Sequence, residues 1–125
     1  PTGALDLTDG EVAEVAAAFL AAMPGLTERP LHARASGTTG RLPAEVAGVA
    51  FAPWESRGQQ PSLDLRFLSR DGDQLIVQAH VYTGLGGPDV HDIRFSRTEG
   101  PFEAPFEAAG GSWAVAEFLG SVGYL

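Results

Sequence analysis

Three alternating runs hold the side chains of this chain that could act on something together: 62–69 (SLDLRFLS), 74–82 (QLIVQAHVY) and 90–97 (VHDIRFSR). Successive residues of an extended strand point to opposite faces. One face of these runs is apolar: Leu63, Leu65 and Phe67, then Leu75, Val77, Ala79 and Val81, then Ile93 and Phe95. The other carries Asp64, Arg66, Gln78, His80, Asp92 and Arg94. A carboxylate beside an imidazole orients it and raises its pKa, which is the arrangement of general acid–base chemistry. His80, Asp64 and Asp92 are therefore the candidate catalytic residues. Arg66, Gln78 and Arg94, in the next row, are candidates for binding a ligand or partner.

Both apolar sets fall on one side only if paired positions sum to an even number, because a one-residue slip turns every side chain over. A two-residue Asp71-Gly72 turn pairs Arg70 with Asp73, an odd sum. A three-residue loop Asp71-Gly72-Asp73 instead pairs Phe67 with Val77, Leu65 with Ala79 and Asp64 with His80. That loop puts glycine second where such loops favour it third. Burying one large apolar side chain stabilises by roughly 1.5–3 kcal/mol, so burial decides. After the glycine-rich connection 83–89 (TGLGGPD), pairing Tyr82 with Val90 sets His80 against Asp92 and Gln78 against Arg94. The expected rows are Asp64–His80–Asp92 and Arg66–Gln78–Arg94. Unlike charges facing each other across strands contribute roughly 0.2–1 kcal/mol per pair. A solvated, charge-paired sheet face thus accounts for the rows without any chemistry. Catalysis requires in addition that loops 37–43, 53–61 or 83–89 close over the face.

Other motifs add little. His32 alternates onto the same side of a neighbouring strand, so a metal set of His32, Asp64, His80 and Asp92 is conceivable. No HxH or HExxH spacing supports it, and neither a metal nor a cofactor is expected. His91 falls near the apolar side and is not expected to be a ligand. Residues 84–87 (GLGG) have no following helix to hold an anion and no lysine, so they are not a phosphate loop. No Gly-x-Ser-x-Gly elbow is present.

The balance of 16 acidic against 8 basic residues, all of them arginine, gives a net charge of −8. Nucleic acid and anionic membrane are excluded as main partners, because both need clustered cations. A protein partner, more basic than acidic, fits this charge. The chain has no cysteine, which removes disulfides, thiol catalysis and thiolate metal sites together. With no apolar run long enough to span a membrane, the cytoplasm is the expected compartment. The sequence starts at Pro1 rather than methionine, so the lack of a targeting segment carries little weight.

The elements that must position these residues follow from pattern. Thr8 and Glu11 form a capping box, and Val12, Val15, Ala16, Phe19, Leu20 and Met23 form the stripe of a helix over 9–23 that Pro24-Gly25 ends. Residues 31–36 alternate as a half-buried strand. Residues 45–52 (EVAGVAFA) form an expected strand apolar on both faces, with Gly48 marking a bulge or a close backbone approach. A tandem PFEA-PFEA occupies 101–108, too short for a repeat architecture. Ser112 is the expected cap of a C-terminal helix carrying Val115, Phe118, Leu119 and Val122 on one side.

These elements make 1–125 a single α+β domain of two layers. An N-terminal helix, about five antiparallel strands including the meander at 62–97, and a C-terminal helix form it. Trp113, off the stripe of the second helix, and Trp54, in the 53–61 loop, are candidate partner contacts. Two functions remain. One is a non-catalytic binding or regulatory domain, of inhibitor or immunity type. The other is a small-molecule or acid–base enzyme domain working around His80. Few candidate catalytic residues and an acidic surface favour the first.

Overall fold

The computed structural model describes residues 4–28, 30–56, 61–83, 88–97 and 112–122. The GLGG stretch and the PFEA tandem lie outside the described residues. Helix α1 (Asp9–Ala22) begins as the capping box requires: Glu11 N–H donates to Thr8 Oγ1 at 3.0 Å, and Thr8 N–H donates to Glu11 Oε1 at 3.1 Å. Its buried stripe is Val12, Val15, Ala16, Phe19 and Leu20. Met23 caps the end, donating its N–H to Phe19 and Leu20 carbonyls, and a 3₁₀ turn (Pro24–Glu28) follows.

Seven strands follow: β1 (Leu31–Ser36), β2 (Glu45–Val46), β3 (Val49–Ala52), β4 (Ser62–Asp71), β5 (Gln74–Tyr82), β6 (Asp89–Arg97) and β7 (Trp113–Val122). They form one sheet in the order β2-β3-β1-β4-β5-β6-β7. β1 runs parallel to both of its neighbours, and the remaining pairs are antiparallel. The sheet is therefore mixed, not the five-stranded antiparallel sheet the pattern implied. The parallel pairs arise because the chain leaves β1, makes the β2–β3 hairpin on one side of it, and crosses back to lay β4 on the other. Residues 45–52 are a hairpin of two strands rather than one, and Gly48 is neither a bulge nor a close approach, since a Cβ there would meet nothing within 4 Å. Ala47 (φ 53°) and Gly48 (φ 81°) form the two-residue turn between Val46 and Val49, which type I′ geometry permits.

The expected C-terminal helix is the strand β7. The misleading signal is physical. β7 pairs with β6 through two irregularities: Ile93 faces Phe118 while Asp92 faces Gly120, and Arg94 faces Glu117 while Phe95 faces Val115. Leu119 and Ala116 are the extra residues. Each bulge delays the alternation by one position, so Val115 and Phe118 stand three apart, as on a helix. Pairing along β6 outweighs that local resemblance. Trp113, expected off the stripe of that helix, is 2% exposed and part of the core.

The β4–β5 hairpin satisfies turn chemistry and burial together. The turn is two residues, Gly72-Asp73, between the paired Asp71 and Gln74, with Gly72 at φ 61° in the first central position. That start has the odd sum that would expose one apolar set. A bulge between Phe67 and Ser69 then restores Phe67–Val77, Leu65–Ala79 and Asp64–His80. Leu68 is the residue left over, and it is exposed.

The apolar face of the sheet, including Leu63, Leu65, Val77, Ala79, Ile93 and Phe95, packs with the α1 stripe into one core. Glu11 ties the layers together. Its Oε2 accepts from Trp113 Nε1 at 3.0 Å and Arg97 Nη1 at 3.2 Å, with Arg70 Nη1 at 3.8 Å. Among the described residues, α1 is the single α-helix and covers this face alone.

Candidate functional site

On the face turned away from α1, strand pairing makes two rows. The first runs Arg34–Asp64–His80–Val90 and the second Ser36–Arg66–Gln78–Asp92. Asp64 and His80 face each other as the alternation required. Asp92 faces Gln78, not His80, and Arg94 faces Ile76. The β5–β6 register is thus displaced by two residues from the expected one. Parity is kept, so every side chain stays on its expected face, but the row Asp64–His80–Asp92 does not form.

A hydrogen-bonded chain joins Asp92 to His80 all the same. Gln78 Nε2 donates to Asp92 Oδ1 at 3.0 Å, and Gln78 Oε1 lies 2.7 Å from His80 Nε2. Because the amide nitrogen is spent on the carboxylate, the amide oxygen faces the ring, so His80 Nε2 must carry the proton. In the neutral ring Nδ1 then holds the lone pair. It makes no hydrogen bond among the described residues and is not buried. The pKa of His80 is lowered from 6.5: burial is the largest cause and Arg66 adds to it, against the upward pull of Asp64 and Asp92. The expected upward shift assumed two adjacent carboxylates and overlooked the guanidinium on β4. His80 is consequently neutral near pH 7.

Asp64 is the centre of the cluster. It is 1% exposed, and its Oδ2 accepts from Arg34 Nη2 and Arg66 Nε, each at 3.1 Å. Oδ1 has no partner among the described residues. The arginine side chains stay 48% and 42% exposed, so the charge is paired on its inner side and open on its outer side. The Arg34 guanidinium also stacks 4.2 Å over the Trp54 ring. Trp54 opens a 3₁₀ turn (Trp54–Ser56), and the preceding Pro53 carbonyl receives His32 Nδ1 at 2.6 Å. The described part of the 53–61 loop therefore lies over the β1 side of this face.

The remaining candidates separate. Arg94 is engaged to the side, donating to Gln74 Oε1 at 2.6 Å and Glu117 Oε1 at 3.1 Å. Trp113 is on the opposite side of the sheet, between Arg70 and Arg97. The four conceivable metal ligands do not converge: no group of three or more His, Asp or Glu residues is placed to hold an ion among the described residues. His91 sits by β7, with Nδ1 2.8 Å from Ser121 Oγ. Arg34 was the residue the pattern missed. Its alternation in 31–36 already put it on this face, but nothing in the sequence announced that β1 lies beside β4.

No protein family, curated protein or solved structure matches the chain.

Proposed function

We propose that this chain is a non-catalytic binding or regulatory domain whose working surface is the sheet face centred on Asp64. The observation that carries the reading is a carboxylate 1% exposed beneath two half-exposed guanidiniums. A buried ion pair adds little net stability, because desolvation offsets the attraction between the charges. Apolar residues of similar size would serve the fold as well. What the arrangement supplies is orientation: Asp64 and Trp54 fix the guanidiniums, and less side-chain entropy is then lost when something binds. The net charge of −8 draws a partner that is basic overall toward the molecule, and the two guanidiniums take hydrogen-bond acceptors from it at the contact.

A second reading, a small-molecule or acid–base domain on the same face, draws on His80, a neutral imidazole with a held tautomer and an open Nδ1. Affinity capture from the native host separates surface from bystander. A partner retained by the wild type and by Arg41→Gln, an arginine outside the face, but lost by Arg34→Gln supports the proposal. Equal retention by both variants overturns it.

A further inference from the structure

A guanidinium offers several N–H donors. Arg34 spends one of them on Asp64 and stacks on Trp54; Arg66 spends its Nε on the same oxygen. Neither makes a further hydrogen bond to a described residue. Two fixed guanidiniums with unused donors, drawn onto one carboxylate oxygen, are a fork for an oxyanion. Beside them is an acceptor as well: His80, directly across from Asp64, presents the Nδ1 lone pair because its other nitrogen is committed to Gln78. A fully ionised oxyanion would meet that lone pair with another. One that carries a proton would donate to it.

Resting on the surface reading above, we propose that Arg34, Arg66 and His80 bind a protonatable oxyanion, phosphate in preference to sulfate. A phosphate monoester loses its second proton about a unit below neutral pH and free phosphate does so close to neutrality, so ligand and imidazole share one proton between them. Sulfate stays fully ionised there and can bind only once His80 is itself a cation. The groups facing His80 are Asp64 and Arg66 on β4, Asp92 on β6 and Gln78 on its own strand, with Arg34 one strand beyond. The long-range field of an acidic protein opposes the binding of anions, so the site must work through short, directed hydrogen bonds.

The test is side-chain NMR of the wild-type chain at about pH 7.5, above the ordinary histidine value, with inorganic phosphate, sulfate and chloride as probes at constant ionic strength. Phosphate should shift the His80 ring nitrogens and the Arg34 and Arg66 guanidinium signals saturably, and chloride should not. Sulfate should bind only when the pH is taken below the His80 pKa. Arg34→Gln should weaken phosphate by about tenfold or more, and His80→Gln should abolish the preference over sulfate. With affinities expressed per singly protonated ligand, O-phosphoserine binding more tightly than inorganic phosphate assigns the ligand to a phosphorylated partner; weaker binding on that scale assigns it to the free ion. A response to phosphate no more saturable than that to chloride, or equal binding of sulfate at the higher pH, overturns the proposal. If phosphate fails while partner capture still depends on Arg34, the ligand class alone is wrong. If capture ignores Arg34, the surface reading falls.

Discussion

Replacing Glu11 should damage the fold far more than a helix-surface glutamate normally does. Its Oε1 closes the capping box, and its Oε2 receives the Trp113 indole and Arg97. The side chains of Glu11, Arg97 and Arg70 are 18%, 23% and 26% exposed, so solvent screens these contacts only in part. Hydrogen bonds to a charged group contribute about 1.5–3 kcal/mol each. Because the partners share one carboxylate their contributions do not add, and about 2–4 kcal/mol is expected for Glu11→Ala. Glu11→Gln should cost about half of that, since the cap survives and the charge does not. Burial pushes the Glu11 pKa up, but the indole, the Thr8 N–H, Arg70 and Arg97 together outweigh it and leave the value below 4.5. A depressed folded pKa means stability that is complete above the unfolded value and is lost as pH falls through the folded one. Urea unfolding of wild type and Glu11→Gln, compared near neutrality and again in acid, reads both effects. The two curves should differ at neutral pH and converge in acid. A Glu11→Ala loss under about 0.5 kcal/mol, or a wild-type to Gln gap that ignores pH, would refute the reasoning.

Gly37 is at φ 81° and a Cβ there would stand 2.3 Å from the Phe67 carbonyl oxygen, so Gly37→Ala should lower the urea midpoint by the equivalent of about 1–3 kcal/mol; an unchanged midpoint contradicts this close approach. NMR titration should give His80 a pKa below 6.5, rising in Arg66→Gln. Stability conferred by neutral His80 should be complete above the unfolded value and lost as pH falls from there to the folded one; a wild-type pKa above 6.5 counts against the cluster. In single-tryptophan variants, iodide should quench the half-buried Trp54 and leave Trp113 untouched, because the latter is 2% exposed. Quenching of Trp113 would mean that β7 does not seal the core.

Local signals carried much of this fold and failed where pairing partners decide. The capping box and stripe of α1 are encoded within a dozen residues, so the helix was legible with its start. Parity was legible too: the even-sum rule placed Asp64 against His80, and the bulge at Leu68 let a two-residue turn coexist with it. The β5–β6 register was not, because a slip of two residues keeps every side chain on its face, and the apolar pattern is blind to it. β7 was misread because bulges at Ala116 and Leu119 impose near-helical spacing on an extended chain. Of the candidate cluster, Asp64, Arg66, Gln78 and His80 were placed on one sheet face by alternation. Arg34 waited on a parallel neighbour that no short-range pattern specifies.

Triple substitution of Arg34→Thr, Asp64→Val and Arg66→Thr, followed by thermal unfolding and phosphate titration, tests most directly whether this cluster exists for binding. A buried ion cluster exchanged as a whole for residues suited to a strand is expected to leave stability within about 1 kcal/mol of wild type or to raise it, while the phosphate response disappears. A folded, equally stable variant that has lost the response is the predicted result. A loss of several kcal/mol, or a phosphate response that survives the three changes, would contradict the claim that the face is built to bind.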